Sequence, residues 1–495
     1  MAAHRDSAPW SRGRAREALL GVAAAVVLVG PFVLAFYSGG FFDQPRIVAA
    51  IVAWALVAVV AVASPRPLPR DRAARTALLG LGLLTAWTAI SLAWAPIVDA
   101  GIDDLQRLVL YAGALTAATA LLRGPALRAL EPVTLLGTVV LLVYGMSDRL
   151  LPHTVYIKHY FSAGSRLEQP LTYWNAMGLV GAIGLVLAAR LAADRSRPDA
   201  VRVLAAAAAA PVGVGLYLTF SRGALAALGA GLVVLLAVAP TWAQLRSIAL
   251  VLAVAVVPAV VAGFMPGVVN FDATESARDV QGFVLIAVLV LAMLAGGAVA
   301  AWACRAERAG TARVTRLPLP RRTGLIATAL VVLAAAAFVA SAAKERREST
   351  APTGATAQRF GSLQSNRYQY WRVAVRTFAD HPLRGTGTAG FRVEWLRRRT
   401  IGEQAKDAHS LYLETAAELG LVGLALLGTV LAGVAVAARR ALRLAPTTAA
   451  GPVAVVVLWA FHAGIVWDWE MPTVTLLASP SRARVRELSP IGAPS

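Results

Sequence analysis

Long uncharged runs separated by short polar breaks set the pattern of this chain. Windows of about 20 apolar residues fall near 18–37, 47–64, 76–94, 106–122, 131–147, 172–189, 203–220, 223–240, 247–264, 281–304, 323–343, 411–438 and 452–467. Runs of this length span a bilayer as helices, because lipid offers no partner to an open backbone N–H or C=O. Val474–Ala478 is apolar but too short to cross, so the pattern predicts twelve to fourteen spans. Lys344–Ala408 is the only long polar segment. Within it Gln364–Phe378 and Phe391–Arg399 have the spacing of amphipathic helices, His381–Gly390 reads as a turn-rich link, and Gly354–Gly361 reads as mobile. Internal repeats and heptads are absent. The predicted fold class is all-α, a polytopic membrane helical bundle with one long outer loop. Its expected organisation is a bundle over 1–343, a basic extracytoplasmic loop over 344–410, C-terminal spans over 411–480 and a tail over 481–495.

Composition agrees: 58% of the 495 residues are hydrophobic and 15% charged, against about 25% charged in soluble domains. Lys and Arg total 47 against 27 Asp and Glu, a net charge of +20. In a soluble protein that balance would raise nucleic-acid binding; here the cations sort by loop. One set of connections holds Arg5–Arg16, Arg66–Arg75, Arg123/Arg128, Arg190–Arg202, Arg246, Arg305–Arg322 and Arg439–Arg443. The alternate set is sparse, with Arg46, Asp99–Asp104, residues 148–171 and Asp272–Asp279. Positive charge stays cytoplasmic, which predicts a multi-pass protein of the cell membrane with its N-terminus inside. The 344–410 loop is basic yet falls outside, which long loops do regardless of charge. The basic start resembles a signal peptide, but the run from Ala18 to Phe36 lacks a clear cleavage site and reads as a first span. The single cysteine, Cys304, excludes an intramolecular disulfide and a thiolate metal cluster.

Few residues are placed to do chemistry at the outer mouth. Arg222, in Thr219-Phe220-Ser221-Arg222-Gly223, lies where two spans meet with almost no loop. It either snorkels to the interface or grips an anionic group bidentately from a tight turn. His409, in Asp407-Ala408-His409-Ser410, marks the re-entry of the long loop. It is either a polar residue at a helix start or a general base, since imidazole titrates near neutrality. Arg367, with Arg372 and Arg376 at helical spacing, makes a basic face that suits solvent, lipid headgroups or a diphosphate-binding wall. His153 and His159 have no carboxylate or cysteine beside them in sequence, which argues against a metal site. His381 belongs to a turn and His4 to the tail.

These segments together resemble the O-antigen ligase and O-antigen polymerase superfamily. Leu218–Ala224 is similar to the family's span-linking Ser-Arg-Gly turn, and Arg367 with Trp371 to its arginine followed by a large apolar residue. Asp380–Gly387 resembles its Asp-His-Pro-hydrophobic-x-Gly-x-Gly loop, and His409 with Gly420 its histidine, ten-residue gap and glycine. Trp174-Asn175 is similar to its asparagine at a span start. The likeness covers about 172–430, while Pro480–Ser495 departs from the family's usual final span. The resemblance implies a GT-C-like glycosyltransferase of cell-surface polysaccharide biosynthesis. Such an enzyme moves a glycan from undecaprenyl diphosphate to a hydroxyl of a lipid, polysaccharide or protein acceptor on the outer face, with neither nucleotide sugar, metal nor cofactor. Arg222 and Arg367 would hold the diphosphate, His409 would be the base, and membrane lipids would surround the bundle. Nucleic acid is not an expected partner. A transporter or flippase of lipid-linked glycans would also explain the spans, but would put ionisable residues near mid-membrane and often show repeated halves. A metal-dependent oligosaccharyltransferase would need an outer acidic site; Asp468 and Glu470 supply two acids without a partner acidic motif.

Overall fold

The computed structural model describes residues 9–64, 67–310, 316–317, 354–361 and 365–478. Among them the chain is helical and forms no β-strand. In order come α1 (Pro9–Ala35), α2 (Asp43–Ala63), α3 (Arg72–Ser91), α4 (Val98–Leu121), α5 (Gly124–Leu150), α6 (Trp174–Ala193), α7 (Asp199–Leu218), α8 (Arg222–Val238), α9 (Trp242–Gly263), the short α10 (Pro266–Val269) and α11 (Glu275–Arg308). After the loop come α12 (Arg367–Asp380), α13 (Phe391–Arg398), α14 (Leu411–Leu444), α15 (Pro446–Ala463) and α16 (Pro472–Ala478).

Ten of these helices are long and apolar enough to cross a membrane. The remaining two at predicted spans are α4, which carries Asp99, Asp103, Asp104 and Arg107, and α8, which is 17 residues long. The span expected at 323–343 and the tail at 481–495 lie outside the described residues. Helix α6 is apolar on every face and sits at the centre, packed by α5, α7, α8, α9 and α15. Gly178, Gly181 and Gly184 line one of its faces, where added methyls would run into Ser221, Leu216 and Thr138. Small residues let membrane helices approach this closely without a hydrophobic driving force. A second layer pairs α2 with α4 and α3 with α14, joined by Ala53, Ala77, Leu81, Leu110 and Val430.

Polar groups collect at the two ends of the bundle. At one end Arg197 pairs with Glu131 at 3.0 Å, Arg190 with Asp194 at 2.8 Å and Arg202 with Glu307 at 2.8 Å. The other end gathers the charge-poor connections, α12, α13 and the start of α14. The helices expected at Gln364–Phe378 and Phe391–Arg399 form as α12 and α13. The segment expected to be mobile at Gly354–Gly361 instead packs: Phe360 stacks on Phe220 with ring centroids 5.7 Å apart. Its aromatic ring finds an apolar partner at the mouth, which glycine spacing alone does not reveal.

Candidate active site

The site is built around two backbone devices. The first is the turn between α7 and α8. Ser221 caps α8, its Oγ accepting from Ala224 N–H at 3.2 Å and donating to Asn175 Oδ1 at 2.7 Å. Asn175 donates in turn to the Tyr173 hydroxyl at 2.6 Å. The strand-free turn therefore hangs on the first turn of α6, and Phe220 tolerates a left-handed backbone (φ 48°) to make it. Arg222 projects from this N-terminus.

The second device is a break in α14. Gly420 has φ 64° and ψ −160°, a conformation essentially reserved for glycine. The break frees backbone groups that must find partners in a dry bundle. The loop after α12 supplies them. Thr386 and Gly387 donate their N–H to Ala417 O (3.1 Å) and Glu418 O (2.9 Å). Pro382 O and Leu383 O accept from Leu421 N–H (2.8 Å) and Val422 N–H (3.3 Å). Trp87 Nε1 of α3 donates to Leu419 O at 3.1 Å. The Glu418 carboxylate accepts from Ala389 and Phe391 N–H, both at 3.0 Å, and so caps α13. The Gly-x-Gly loop is thus a structural key in the kink rather than a phosphate cradle.

On this frame stands His409. Its backbone is left-handed (φ 52°). Asp407 accepts from its N–H at 3.3 Å and lies 2.6 Å from its Nδ1. Glu414 accepts from the preceding Ala408 N–H at 2.7 Å, and Tyr370 of α12 packs on the imidazole with centroids 5.0 Å apart. Burial, then hydrogen bonding and charge from Glu403, raise the Tyr370 hydroxyl above its ordinary value, with Arg367 pulling the other way and Asp407 adding to the rise. Arg367, at the first position of α12, thus shares Tyr370 with the His409 turn. It also shares an electrostatic neighbourhood with Arg222. Trp371, its partner one turn on, is fully buried. The structure brings Arg222, Arg367 and His409 to one mouth, although they come from three separate segments.

Other groups at this mouth escaped the sequence reading. Tyr173 lies in the field of Arg367, Asp468 and Asp407 and stacks on Trp467 at 4.5 Å. His462, inside an apolar run, pairs Nδ1 with Asp468 Oδ1 at 3.1 Å, both wholly buried. Glu470 pairs with Arg107 at 3.1 Å and lies beside Glu414. Trp174-Asn175 and Trp467-Asp468-Trp469-Glu470 were visible as motifs, but most of their partners lie on other segments, as Ser221 does for Asn175 and Arg107 for Glu470. His159 requires a correction. Folding puts carboxylates on both ring nitrogens, Asp148 at 2.5 Å and Glu168 at 2.9 Å, so this imidazole clamps its loop. His153 likewise meets Asp279 at 2.7 Å.

The model of the O-antigen ligase family matches residues 204–428, from within α7 to beyond the kink in α14. None of the curated proteins compared with the chain matches it.

Proposed function

From a chain that belongs to the O-antigen ligase/polymerase superfamily, we propose a membrane glycosyltransferase that transfers or polymerises a glycan from an undecaprenyl-diphosphate donor onto an acceptor hydroxyl at the outer face. The observation that carries this reading is the convergence of Arg222 and Arg367. Two guanidinium groups brought together from separate segments suit an anion with several acceptor oxygens, and a diphosphate is such an anion. As the glycosyl–oxygen bond breaks, negative charge grows on the departing diphosphate, and fixed guanidinium donors stabilise it without reorganisation. His409 takes the proton of the acceptor hydroxyl, with Asp407 beside Nδ1 orienting the ring. The acceptor oxygen gains the bond to the anomeric carbon and undecaprenyl diphosphate leaves. An apolar cleft of about 920 Å³ between α1, α2 and α4 ends at Tyr37 and Gln44. Neighbouring Phe41 packs against Trp467 with ring centroids 5.3 Å apart, so a polyprenyl tail in the cleft would end near the site.

Arg→Lys at both positions tests the reading. Lysine keeps the charge but loses the bidentate fork, so Arg222→Lys and Arg367→Lys should each cripple glycan transfer in membranes at unchanged protein abundance. Near-wild-type transfer by both variants would overturn the diphosphate role and leave snorkelling as the account of Arg222.

A further inference from the structure

The turn Trp467–Met471, between α15 and α16, sends two acidic side chains in different directions. It lies beyond the matched region 204–428. Asp468 reaches back to His462, and both side chains are buried to within 1%. His462 Nδ1 faces that carboxylate, and Nε2 has no hydrogen-bond partner among the described residues. It faces Gly223, where an added Cβ would lie 3.4 Å from it. The ring thus packs on the first turn of α8, one residue from Arg222. Glu470 goes the other way, to Arg107 and to Glu414, whose other contact is the Ala408 N–H before His409. Between them Trp467 stacks on Tyr173, and Trp469 O accepts from the Tyr111 hydroxyl at 2.7 Å, which pins the turn to α4. Apolar side chains of similar volume would fill these places at lower desolvation cost. Stability alone therefore does not call for two polar pairs here.

We propose that this turn is the positioning element that fixes the spacing between Arg222 and His409. Asp468 acts through His462 on the Ser221–Gly223 turn, and Glu470 acts through Glu414 on the Asp407–His409 turn. The two arms serve one reaction, so the proposal rests on the transferase reading above. It assigns different kinetic roles to neighbouring residues. The Asp468 arm governs how the donor diphosphate is held, and the Glu470 arm governs how the base meets the acceptor.

The test uses the full-length protein purified in detergent, with undecaprenyl diphosphate as the binding probe. The double variant His462→Phe/Asp468→Leu removes the polar pair while keeping volume, and Glu470→Met does the same for the other arm, so both should accumulate. The first should weaken undecaprenyl diphosphate binding and raise the donor KM by about tenfold, the loss of one well-aimed polar contact, with kcat little changed. The second should leave donor binding alone and lower kcat by up to about 100-fold, as small misplacements of a reacting group do, and Glu470→Gln should restore it. Spin labels at Leu225 and Gly402 in a Cys304→Ala background read the spacing without substrate, and their distance distribution should broaden in both variants. Unchanged distances and kinetics, or an equal loss of binding and kcat in both variants, would overturn the proposal. If the wild-type protein binds no undecaprenyl diphosphate, the transferase reading falls instead, and the label distances alone decide whether the turn sets the spacing.

Discussion

His409 is held by more than its position in the sequence suggests. A non-glycine residue at φ 52° is uncommon, and asparagine tolerates that region better than alanine. His409→Asn is therefore the cleaner probe of a base, because it keeps the backbone and removes the titrating ring. The expected outcome is normal membrane abundance, retained donor binding and a loss of transfer of roughly 10²–10⁴-fold, the usual contribution of a general base. Normal transfer rates would remove the catalytic role. His159 answers a different question. Partial burial disfavours its charged form, but the hydrogen bonds its ring donates to Asp148 and Glu168 outweigh that and push its pKa up to about 9. A raised folded-state pKa makes a contribution that is complete below the ordinary histidine value and is lost as pH rises through the folded one. Residues 151–173 should accordingly be protected from proteolysis at pH 6 to 7 and become cleavable above about pH 9, and His159→Gln should be cleavable across the range. Equal protection of the wild-type protein at pH 7 and pH 10 would show that the clamp does not hold the loop.

The kink in α14 and the Gly-x-Gly loop form a single interlocking element. A Cβ on Gly420 would lie 2.3 Å from Leu383 O, and one on Gly385 would lie 2.2 Å from Glu418 O. Backbone atoms cannot yield as a flexible side chain can. Gly420→Ala should cost at least ~1–3 kcal/mol for the backbone conformation alone, read as a lower melting temperature in detergent. Gly428, on the same helix but facing open space, should gain ~0.5–1 kcal/mol on replacement by alanine. Equal effects at the two positions would mean that the interlock does not carry the fold. This element also shows where the sequence was legible. The spans, α12 and α13 follow from hydropathy and helical spacing, which are local signals. The loop motif and Gly420 were visible as spacings of glycine. Their meeting was not, because the hydrogen bonds join Pro382–Gly387 to Ala417–Val422 across a fold that local pattern does not encode. Asp468 and Glu470 were visible as two acids, but the pairing of Glu470 with Arg107 was hidden for the same reason, and His462, inside an apolar run, looks like core until the turn that brings Asp468 back to it is known.

At the scale of the whole molecule, the asymmetry of charge between the two ends decides how the bundle sits in the membrane. At one end several arginines pair among the connections, as in Arg197–Glu131, Arg202–Glu307 and Arg440–Asp71. Arg316 belongs to that end, since Leu317 N–H donates to Pro240 O at 2.9 Å beside the α8–α9 connection. Gly361 belongs to the opposite end, one residue from Phe360, which stacks on Phe220 next to the Ser221–Arg222 turn. The translocation machinery retains arginine-rich short loops on the cytoplasmic side. A lipid-linked glycan presented outside therefore needs Arg222, Arg367 and His409 at the end that holds Gly361. In a Cys304→Ala background, a cysteine at Gly361 should react with a membrane-impermeant maleimide in intact cells, and a cysteine at Arg316 should react only after the membrane is opened. The reversed pattern would place the site on the cytoplasmic face. The glycan would then have to be joined before export, and the outer-face transfer proposed for this chain would be wrong even with every side-chain contact in place.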